Sequence, residues 1–190
     1  MEKMRSPELM SRHDSGLLVV DMQDRLLAAV ADSKRVIWNI RRLIDGARIL
    51  NLPTIATEQY PEKLGQTTAE LASLLADIPS KLSFSCAPCE DVIDRFRTAQ
   101  RHKILVTGIE THVCIQQTVL DLLSSGFQVY VAADAVTSRF EIDREIALRR
   151  MDQSGATITT TEAALFEWCE VAGSPEFKQI SQLVRESAPT

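Results

Sequence analysis

The sequence has no long apolar run and no dense cluster of lysine or arginine. No stretch approaches the roughly 20 apolar residues that a membrane-spanning helix needs, and the first fifteen residues lack the apolar segment of a secretory signal. The net charge of −5 argues against a nucleic-acid-binding protein. We therefore expect no membrane or nucleic-acid partner and a cytoplasmic location, while a short organellar transit segment would also be compatible with the sequence.

Histidine and cysteine are scarce, with three and four residues in the chain. His13, His102 and His112 do not have the spacing of metal ligands. The pair Cys86 and Cys89 has the spacing of a thioredoxin-type motif, but the rest of that fold is missing, and no second pair completes a zinc site. We interpret both as small residues of a loop and a helix start, with reduced thiols, and leave a redox role open.

A chain of 190 residues has the length of one domain. At this size a protein buries roughly 70% of its unfolded surface, so it needs neither disulfides nor metals for stability. The sequence contains no repeat and no linker rich in glycine, serine or proline. We expect an N-terminal extension over residues 1–14 and a single domain over residues 15–190.

Short segments rich in valine, isoleucine and threonine alternate with longer helical patterns. Most of the short segments are continuous apolar runs, which is typical of strands buried on both faces of a parallel sheet. The longer segments carry an apolar stripe, as in residues 34–50, where it lies opposite Lys34, Arg41 and Arg42. The predicted strands are 16–21, 53–58, 81–85, 103–108, 127–134 and 156–160. The predicted helices are 34–50, 89–99, 111–125, 141–154 and 175–187.

Repeated strand–helix–strand units predict an α/β fold. We expect a single-domain, three-layer α/β/α architecture with a six-stranded, mainly parallel sheet. In such sheets ligands bind beyond the carboxyl ends of the strands, near the point where strand order reverses. Side chains that carry chemistry should therefore follow predicted strands.

Asp21 ends the first predicted strand, where a partly dried carboxylate is suited to acid–base chemistry. The alternative is an aspartate that caps the following turn, and position alone does not choose between the two. Lys81 lies near the start of the third predicted strand. A lone lysine is usually a solvated surface charge, but a cation beside a thiol or beside Asp21 would favour their ionised forms.

Cys114 lies six residues after Gly108. If a helix begins near Thr111, the thiol is in its first turn, where free N–H groups and the helix dipole would lower the thiol pKa. The same N–H groups could hold an oxyanion. The alternative, a small buried core residue, is favoured when Cys114 is considered alone.

Three segments resemble, in the same order, the signature blocks of the isochorismatase-like cysteine hydrolases: VVDMQ at 19–23, KLSFS at 81–85 and VTGIETHVCI at 106–115. The similarity covers roughly residues 15–187 and is greatest to the branch of isochorismatase domain-containing proteins. This resemblance implies a Rossmann-like topology and assembly into a homo-oligomer, either a dimer or a tetramer.

The resemblance also implies roles for individual residues. Asp21 and Lys81 match the catalytic aspartate and lysine of the family, and Cys114 matches its nucleophile. The Ile109–Glu110 bond matches a cis peptide of the family, which implies an oxyanion hole made by the N–H groups of Glu110 and Cys114.

The sequence departs from the metal-binding nicotinamidases of this superfamily, which use an Asp-x-His pair after the second strand. The corresponding residues are 57–61, TEQYP, and no histidine lies between residues 14 and 101. Glu58 alone cannot build such a site, since first-row metals in these pockets prefer imidazole. We expect no metal and no other cofactor, and nicotinamide is an unfavoured substrate.

Further polar and aromatic residues lie near predicted strand ends. His112 could touch the substrate, but a position on the helix surface is favoured. Asp134 has even chances of a structural or a functional role. The predicted substrate-binding residues are Gln23, Glu58, Gln59, Tyr60 and Phe84.

Three functions are compatible with these features. The leading hypothesis is hydrolysis of a C–N bond in a small amide or related compound by a Cys114–Asp21–Lys81 triad, through a thioester. A second is isochorismatase-type cleavage of a vinyl ether, which needs Asp21 as an acid but no covalent thiolate. The third is a non-catalytic interaction module with a retained pocket, using the amphipathic segment 175–187, which could otherwise cover the domain's own core or a neighbouring subunit.

Overall fold

A computed structural model describes residues 5–89 and 92–189. Six strands form one sheet that is parallel throughout. They are β1 (Ser15–Val20), β2 (Thr54–Gln59), β3 (Ser80–Lys81), β4 (Lys103–Ile109), β5 (Gln128–Thr137) and β6 (Thr157–Thr159). The strand order is β3-β2-β1-β4-β5-β6. The predicted α/β class with a six-stranded sheet is confirmed, and the sheet is more regular than expected because all six strands of the described residues run parallel.

Helices connect the strands and cover both faces of the sheet. A π-helical turn, Thr111–Ile115, precedes one of them and was predicted as part of a single helix over 111–125. The α-helices of the described residues are α1 (Asp24–Leu27), α2 (Ser33–Leu50), α3 (Pro61–Leu64), α4 (Ala69–Ala72), α5 (Val92–Thr98), α6 (Gln116–Ser124), α7 (Glu141–Gln153), α8 (Thr161–Cys169) and α9 (Phe177–Val184). The short helices α1, α3 and α4, and also α8, were not predicted.

The core consists of two apolar layers, one on each face of the sheet. Alternate residues of a strand point to opposite faces, and β1 divides accordingly. Leu17 and Val19 pack in the layer that contains α2, α8 and α9. Leu18 and Val20 pack in the layer that contains α5, α6 and α7. Both faces of the central strand are thus buried, which explains its continuous apolar sequence.

Strand order reverses between β1 and β4, because the chain passes from β1 through β2 to β3 and then returns to the other side of β1. Gly108 lies at the carboxyl end of β4 with φ +122°, and a β-carbon there would lie 2.0 Å from the carbonyl oxygen of Val20. Only glycine allows β4 to run this close to β1. The reversal places a crevice at the carboxyl ends of these two strands.

The predicted strand over 81–85 is wrong in its extent. The strand is Ser80–Lys81, and the chain bends from residue 82. The physical reason is that the Lys81 ammonium donates to the carbonyl oxygens of Ser83 and Phe84, which an extended chain would carry away from it. The helix predicted at 89–99 is α5, and residues 90 and 91 lie outside the described residues.

Arg42 was predicted on the solvent face of α2, but the structure buries it. Its guanidinium stacks on the ring of Trp38, 3.8 Å from the centroid, and donates to Asn39 Oδ1 and to the Leu183 carbonyl oxygen. The last contact ties α9 to α2. Because Ile180 and Leu183 are buried in the same layer, the C-terminal helix covers the core of its own chain.

Candidate active site

Asp21 follows β1 directly at the crevice and is fully buried. Its φ of 53° lies in the left-handed region, which aspartate tolerates better than most residues. The Thr57 hydroxyl donates to Oδ1 at 2.9 Å, and Lys81 Nζ donates to Oδ2 at 2.7 Å. Contacts from β2 and β3 therefore fix both carboxylate oxygens.

Lys81 ends the short edge strand β3, and its ammonium group is buried. Besides Asp21, Nζ contacts Gln59 Oε1 at 2.7 Å and the carbonyl oxygens of Phe84 and Ser83 at 2.9 and 3.2 Å. A buried cation is tolerated when its protons are hydrogen-bonded and a counter-charge is near. The chain after β3 therefore bends around the ammonium group, and its carbonyl oxygens supply two of the acceptors.

Cys114 lies in the π-helical turn after β4 and is 5% exposed. The thiol is close enough to the Asp21 carboxylate for hydrogen bonding between the two groups. As the fourth residue of the helical segment, Cys114 carries one of the N–H groups that a helix start leaves without an intrahelical acceptor. The structure thus brings Asp21, Lys81 and Cys114, which are distant in sequence, to one end of the sheet.

The thiol of Cys114 is not the low-pKa thiol expected from its position at a helix start. Burial, and then the negative charge of Asp21, raise the pKa of Cys114 well above the ordinary cysteine value. Lys81 opposes this shift but does not reverse it. The expectation of a lowered pKa is therefore wrong, because it weighed the helix dipole and neither the burial of the thiol nor the neighbouring carboxylate. At neutral pH the thiol is protonated and needs a base before it can attack.

Both residues of the buried ion pair, Asp21 and Lys81, have shifted pKa values. Burial raises the pKa of Asp21, against the opposing charge of Lys81 and the hydrogen bonds to its oxygens. For Lys81, burial lowers the pKa, but opposing effects outweigh burial, the negative charge of Asp21 being the largest of them, so the net pKa is raised. Lys81 therefore stays cationic at neutral pH, and Asp21 is a stronger base than a solvated carboxylate.

A chain of buried contacts runs from Cys86 through Thr57 to Asp21 Oδ1, the carboxylate oxygen that Lys81 does not contact. Cys86 is fully buried, and its Sγ lies 3.4 Å from Thr57 Oγ1. Burial, and then the charge of Asp21, raise the pKa of Cys86 to about 11, so this thiol keeps its proton at neutral pH. Because the single hydroxyl proton of Thr57 goes to Asp21, only the Cys86 thiol can act as the donor in this contact. Sequence reasoning missed Thr57, and its only signal was a hydroxyl group among the buried residues of a strand.

Gln23 and Gln59, both predicted to bind substrate, contact each other and the backbone. Gln23 Nε2 donates to the carbonyl oxygens of Gln59 and Gly65, and Gln23 Oε1 accepts the Gln59 N–H at 2.7 Å. Gln59 accepts from Lys81 and donates to the Leu82 carbonyl oxygen at 2.8 Å. Protein groups thus occupy the polar ends of these side chains, and Gln59 orients the Lys81 ammonium.

The other predicted substrate-binding residues lie in different surroundings. Glu58 Oε1 accepts the N–H and the hydroxyl of Thr67, which holds the loop after α3. Tyr60 and Phe84 are exposed, at 42% and 54%, at the carboxyl ends of β2 and β3. Unlike the other predicted substrate-binding residues, these two aromatic side chains are not held by hydrogen bonds to protein groups of the described residues. They face solvent beside Lys81.

Glu110 connects β4 to the π-helical turn, and its peptide bond to Ile109 is cis. Its carbonyl oxygen accepts the N–H groups of Val113 and Ile115 at 3.1 and 3.2 Å. Its carboxylate accepts both the N–H and the Nε–H of Arg139. Glu110 therefore fixes the start of the turn that carries Cys114 and ties it to the segment after β5.

His112 and Asp134 contact protein groups. His112 Nδ1 lies 3.0 Å from Ser138 Oγ, and its Nε2 lies 3.9 Å from an oxygen of Asp143 on α7. Asp134 Oδ1 accepts the N–H and the hydroxyl of Thr161, which anchors the start of α8. Asp134 is inside β5 rather than at its end, and its role is structural.

Within residues 5–89 and 92–189, no group of three or more histidine, cysteine, aspartate or glutamate side chains could hold a metal ion. The described helices include none with the length and apolar character needed to cross a membrane.

Residues 15–163 match the family model of the isochorismatase domain. The secreted isochorismatase effector Isc1 of Phytophthora sojae is 41% identical over 182 residues, which are 92% of this chain and 86% of that protein. Isochorismatase domain-containing protein 2 of Bos taurus is 40% identical over 176 residues, covering 92% and 85% of the two chains.

Solved structures of similar proteins have nearly the same fold. The MAR1 ribonuclease of Caenorhabditis elegans has a TM-score of 0.89 at 39% identity and covers 96% of this chain and 95% of its own. YcaC of Escherichia coli, an octameric hydrolase of unknown specificity, has a TM-score of 0.86 at 26% identity, with 95% and 92% coverage. YcaC of Pseudomonas aeruginosa, with hexane-2,5-diol and covalent acrylamide, has a TM-score of 0.86 at 25% identity, with 95% and 93% coverage.

Proposed function

The chain belongs to the isochorismatase family, and from this membership we propose that it is a metal-independent cysteine hydrolase that cleaves the C–N bond of a small amide or related carbonyl compound. The nucleophile is Cys114 and the proton acceptor is Asp21. Lys81 supplies a positive charge that favours the ionised forms of both. No cofactor takes part. The observation that carries the proposal is the contact of one buried carboxylate with both the Lys81 ammonium and the Cys114 thiol.

The first half of the reaction forms a thioester. Asp21 takes the proton of Cys114 as the sulfur attacks the carbonyl carbon, which forms the C–S bond. The N–H groups of Glu110 and Cys114 donate to the oxyanion of the tetrahedral intermediate. When the intermediate collapses, the C–N bond breaks, and protonated Asp21 returns its proton to the departing amine.

The second half restores the enzyme. Asp21 takes a proton from water, whose oxygen attacks the thioester carbon. Collapse of the second intermediate breaks the C–S bond, releases the carboxylic acid and returns the proton from Asp21 to the Cys114 sulfur. Lys81 stays protonated in both halves, because the pKa of its ammonium group is raised.

The substrate is small in this proposal. Asp21 and Lys81 are almost fully buried, and Cys114 is 5% exposed, so only a compact carbonyl group can reach the thiol. Tyr60 and Phe84 at the mouth of the crevice would contact its remaining part. Covalent acrylamide in the Pseudomonas aeruginosa YcaC supports a site that accepts a small amide. The octameric Escherichia coli YcaC supports a homo-oligomeric state for this protein.

Vinyl-ether cleavage of the isochorismatase type is the second candidate, and one observation favours it. Burial raises the pKa of Asp21, so a fraction of the carboxyl is protonated nearer to neutral pH and could protonate a vinyl carbon. That reaction does not need the thiol of Cys114.

The deciding experiment is a panel of small primary amides, ureides and vinyl ethers, incubated with hydroxylamine to trap an acyl-enzyme as a hydroxamate. The proposal predicts amide-dependent hydroxamate from the wild type and none from Cys114→Ala. Vinyl-ether cleavage that survives in Cys114→Ala would support the second candidate instead. An RNA substrate in the same panel tests the activity for which the Caenorhabditis elegans relative is named, and we expect no cleavage.

A further inference from the structure

Cys86 and Cys89 are the two ends of a tight turn between β3 and α5. The Cys89 N–H donates to the Cys86 carbonyl oxygen at 3.0 Å, and Ala87 and Pro88 lie between them. The first and fourth residues of such a turn have their α-carbons within about 7 Å of each other. A disulfide joins cysteines whose α-carbons are roughly 4.4–6.8 Å apart. The turn therefore holds the two cysteines at about the separation that a disulfide spans.

The two thiols differ in their access to solvent. Cys86 is fully buried, whereas Cys89 is half-buried and lines a cavity of about 300 Å³ beside Leu82 and Ser83. A small solute can reach Cys89 through this cavity, but it cannot reach Cys86. An oxidant from solution therefore modifies Cys89 first, and Cys86 reacts with the group formed on its neighbour.

Cys86 also contacts the candidate site. Its Sγ lies 3.4 Å from Thr57 Oγ1, and the Thr57 hydroxyl donates to Asp21 Oδ1 at 2.9 Å. Its backbone N–H donates to Thr118 Oγ1 on α6 at 2.9 Å. A single hydroxyl group thus separates the buried thiol of the turn from the carboxylate that is the proposed base.

The segment before the turn binds the ammonium group of Lys81. The carbonyl oxygens of Ser83 and Phe84 accept from Lys81 Nζ at 3.2 and 2.9 Å. Ser85 extends these contacts, since its carbonyl oxygen accepts the Ser83 hydroxyl and its own hydroxyl accepts the Ala87 N–H. Hydrogen bonds therefore link the ammonium group to the turn that carries the two cysteines.

We propose that Cys86 and Cys89 are a site of reversible oxidation by hydrogen peroxide, and that the disulfide formed there lowers the activity of the adjacent site. The effect on activity rests on the proposed hydrolase function, whereas formation of the disulfide does not. The buried contact from Cys86 through Thr57 to Asp21 carries the effect.

The oxidation has two steps. The Cys89 sulfur attacks one peroxide oxygen, so that an S–O bond forms, the O–O bond breaks, and a sulfenic acid and water result. The Cys86 sulfur then attacks the Cys89 sulfur, which forms the S–S bond, and the hydroxide that leaves takes the Cys86 proton to become water. A dithiol reduces the disulfide by exchange and is itself oxidised.

The disulfide changes contacts on both sides of the proposed base. The Cys86 sulfur loses the proton that it can donate to Thr57, and it moves to within about 2 Å of the Cys89 sulfur. Thr57 and the segment around Lys81 shift with it, and so do the hydrogen bonds that orient Asp21. Because misplacement of a catalytic group by about 1 Å costs about 10²-fold, we expect kcat/KM to fall by about 10- to 100-fold.

Mass spectrometry of the full chain, treated with a small molar excess of hydrogen peroxide, tests the disulfide directly. After denaturation and alkylation, trypsin releases residues 82–95, a single peptide that contains both cysteines. We expect this peptide to lose two hydrogen atoms and to take up no alkylating reagent, while the buried Cys169 is alkylated. Oxidation of Cys114 with both Cys86 and Cys89 unmodified, or a disulfide between Cys86 and Cys114, would overturn the proposal.

The effect on the site is measured by the rate at which Cys114 reacts with acrylamide, and by amide hydrolysis. Both should fall in the oxidised wild type and recover with a dithiol. Cys89→Ser is the matched variant, since it keeps the contact of Cys86 with Thr57 but cannot form the disulfide, so peroxide should leave its rates unchanged. An equal loss in this variant would assign the inactivation to Cys114 itself and contradict the proposal, as would a disulfide that leaves the Cys114 rate unchanged. If no sample hydrolyses an amide, only the hydrolase proposal fails, because the peptide mass and the Cys114 rate still decide this one.

Discussion

Lys81 Nζ lies 2.7 Å from Asp21 Oδ2, and the side chains of both residues are at most 1% exposed. Water does not screen a pair this deeply buried, so the attraction between the two charges is much stronger than at a surface. The charge of Lys81 opposes the rise of the Asp21 pKa that burial causes. The proposed reaction depends on this balance, because Asp21 must be ionised to take the Cys114 proton.

Lys81→Met should abolish both the charge and four hydrogen bonds of the ammonium while keeping much of the side-chain volume. Without Lys81 the pKa of Asp21 should rise further, so a smaller fraction of the carboxyl is ionised. We expect kcat/KM to fall by about 10²–10⁴-fold and the free energy of unfolding by about 3–5 kcal/mol. Turnover of the amide identified in the panel and urea denaturation measure the two effects. Lys63→Met, at an exposed lysine, should change neither.

Asp21→Asn should separate the acidity of the thiol from catalysis. The negative charge of Asp21 raises the pKa of Cys114, whereas Lys81 lowers it. Removal of the Asp21 charge leaves burial opposed by Lys81 alone, so the pKa of Cys114 should fall and thiolate should form at lower pH than in the wild type. The ultraviolet absorbance of the thiolate across a pH titration measures this, with Cys114→Ala as the blank. Amide hydrolysis should nevertheless be lost, since no base remains. An unchanged thiol titration would contradict the electrostatic account.

Thr57→Val should affect Asp21 without touching the nucleophile. The variant loses the hydroxyl that donates to Asp21 Oδ1 and that lies 3.4 Å from the buried Cys86 sulfur. Loss of a hydrogen bond to the charged form raises a carboxyl pKa, so the acidic limb of kcat/KM against pH should move to higher pH. Loss of this buried hydrogen bond to a carboxylate should also cost about 1–3 kcal/mol of stability. Thr57→Ser keeps the hydroxyl, and a shift of the limb there as well would argue against this role.

Gly108→Ala should destabilise the protein strongly. The new β-carbon would lie 2.0 Å from the Val20 carbonyl oxygen, at a φ of +122° that alanine rarely adopts. We expect the free energy of unfolding to fall by about 2–5 kcal/mol from the combined clash and backbone conformation. Gly126→Ala is the control, since its φ is also positive but nothing lies within 4 Å of the added carbon. Chemical denaturation should show a loss of only about 1–2 kcal/mol there.

Much of the fold was predictable because its signals are local. The strands β1, β2, β4, β5 and β6 are short segments rich in aliphatic residues or threonine, and the apolar stripe of α2 follows the helical period. The extent of β3 was not predictable, since its end depends on hydrogen bonds between Lys81 and carbonyl groups that fold back on it. Arg42 was misplaced for a similar reason, because stacking on Trp38 and contacts to α9 bury a residue type that is usually exposed.

In the candidate site, too, some features were predictable from the sequence and others depend on contacts between distant residues. Position relative to the predicted strands made Asp21, Lys81 and Cys114 candidates but left a structural alternative for each, and the resemblance to a known family supplied their catalytic roles. The raised pKa of Cys114 could not be anticipated, because it results from burial and from the carboxylate of Asp21, which is distant in sequence. The contact between Cys86 and Thr57 joins two separate segments of the chain, and the spacing of Cys86 from Cys89 gives no sign of it.

The most direct test of the central claim is the rate at which each cysteine reacts with acrylamide at neutral pH, measured by peptide mass spectrometry. The account predicts that Cys114 reacts faster than the half-buried Cys89 despite its raised pKa, because the site holds the amide oxygen and Asp21 takes the proton. This advantage should disappear in Asp21→Ala and for a methanethiosulfonate, which has no amide group. Labelling of Cys89 with Cys114 left unmodified would contradict the assignment of Cys114 as the nucleophile.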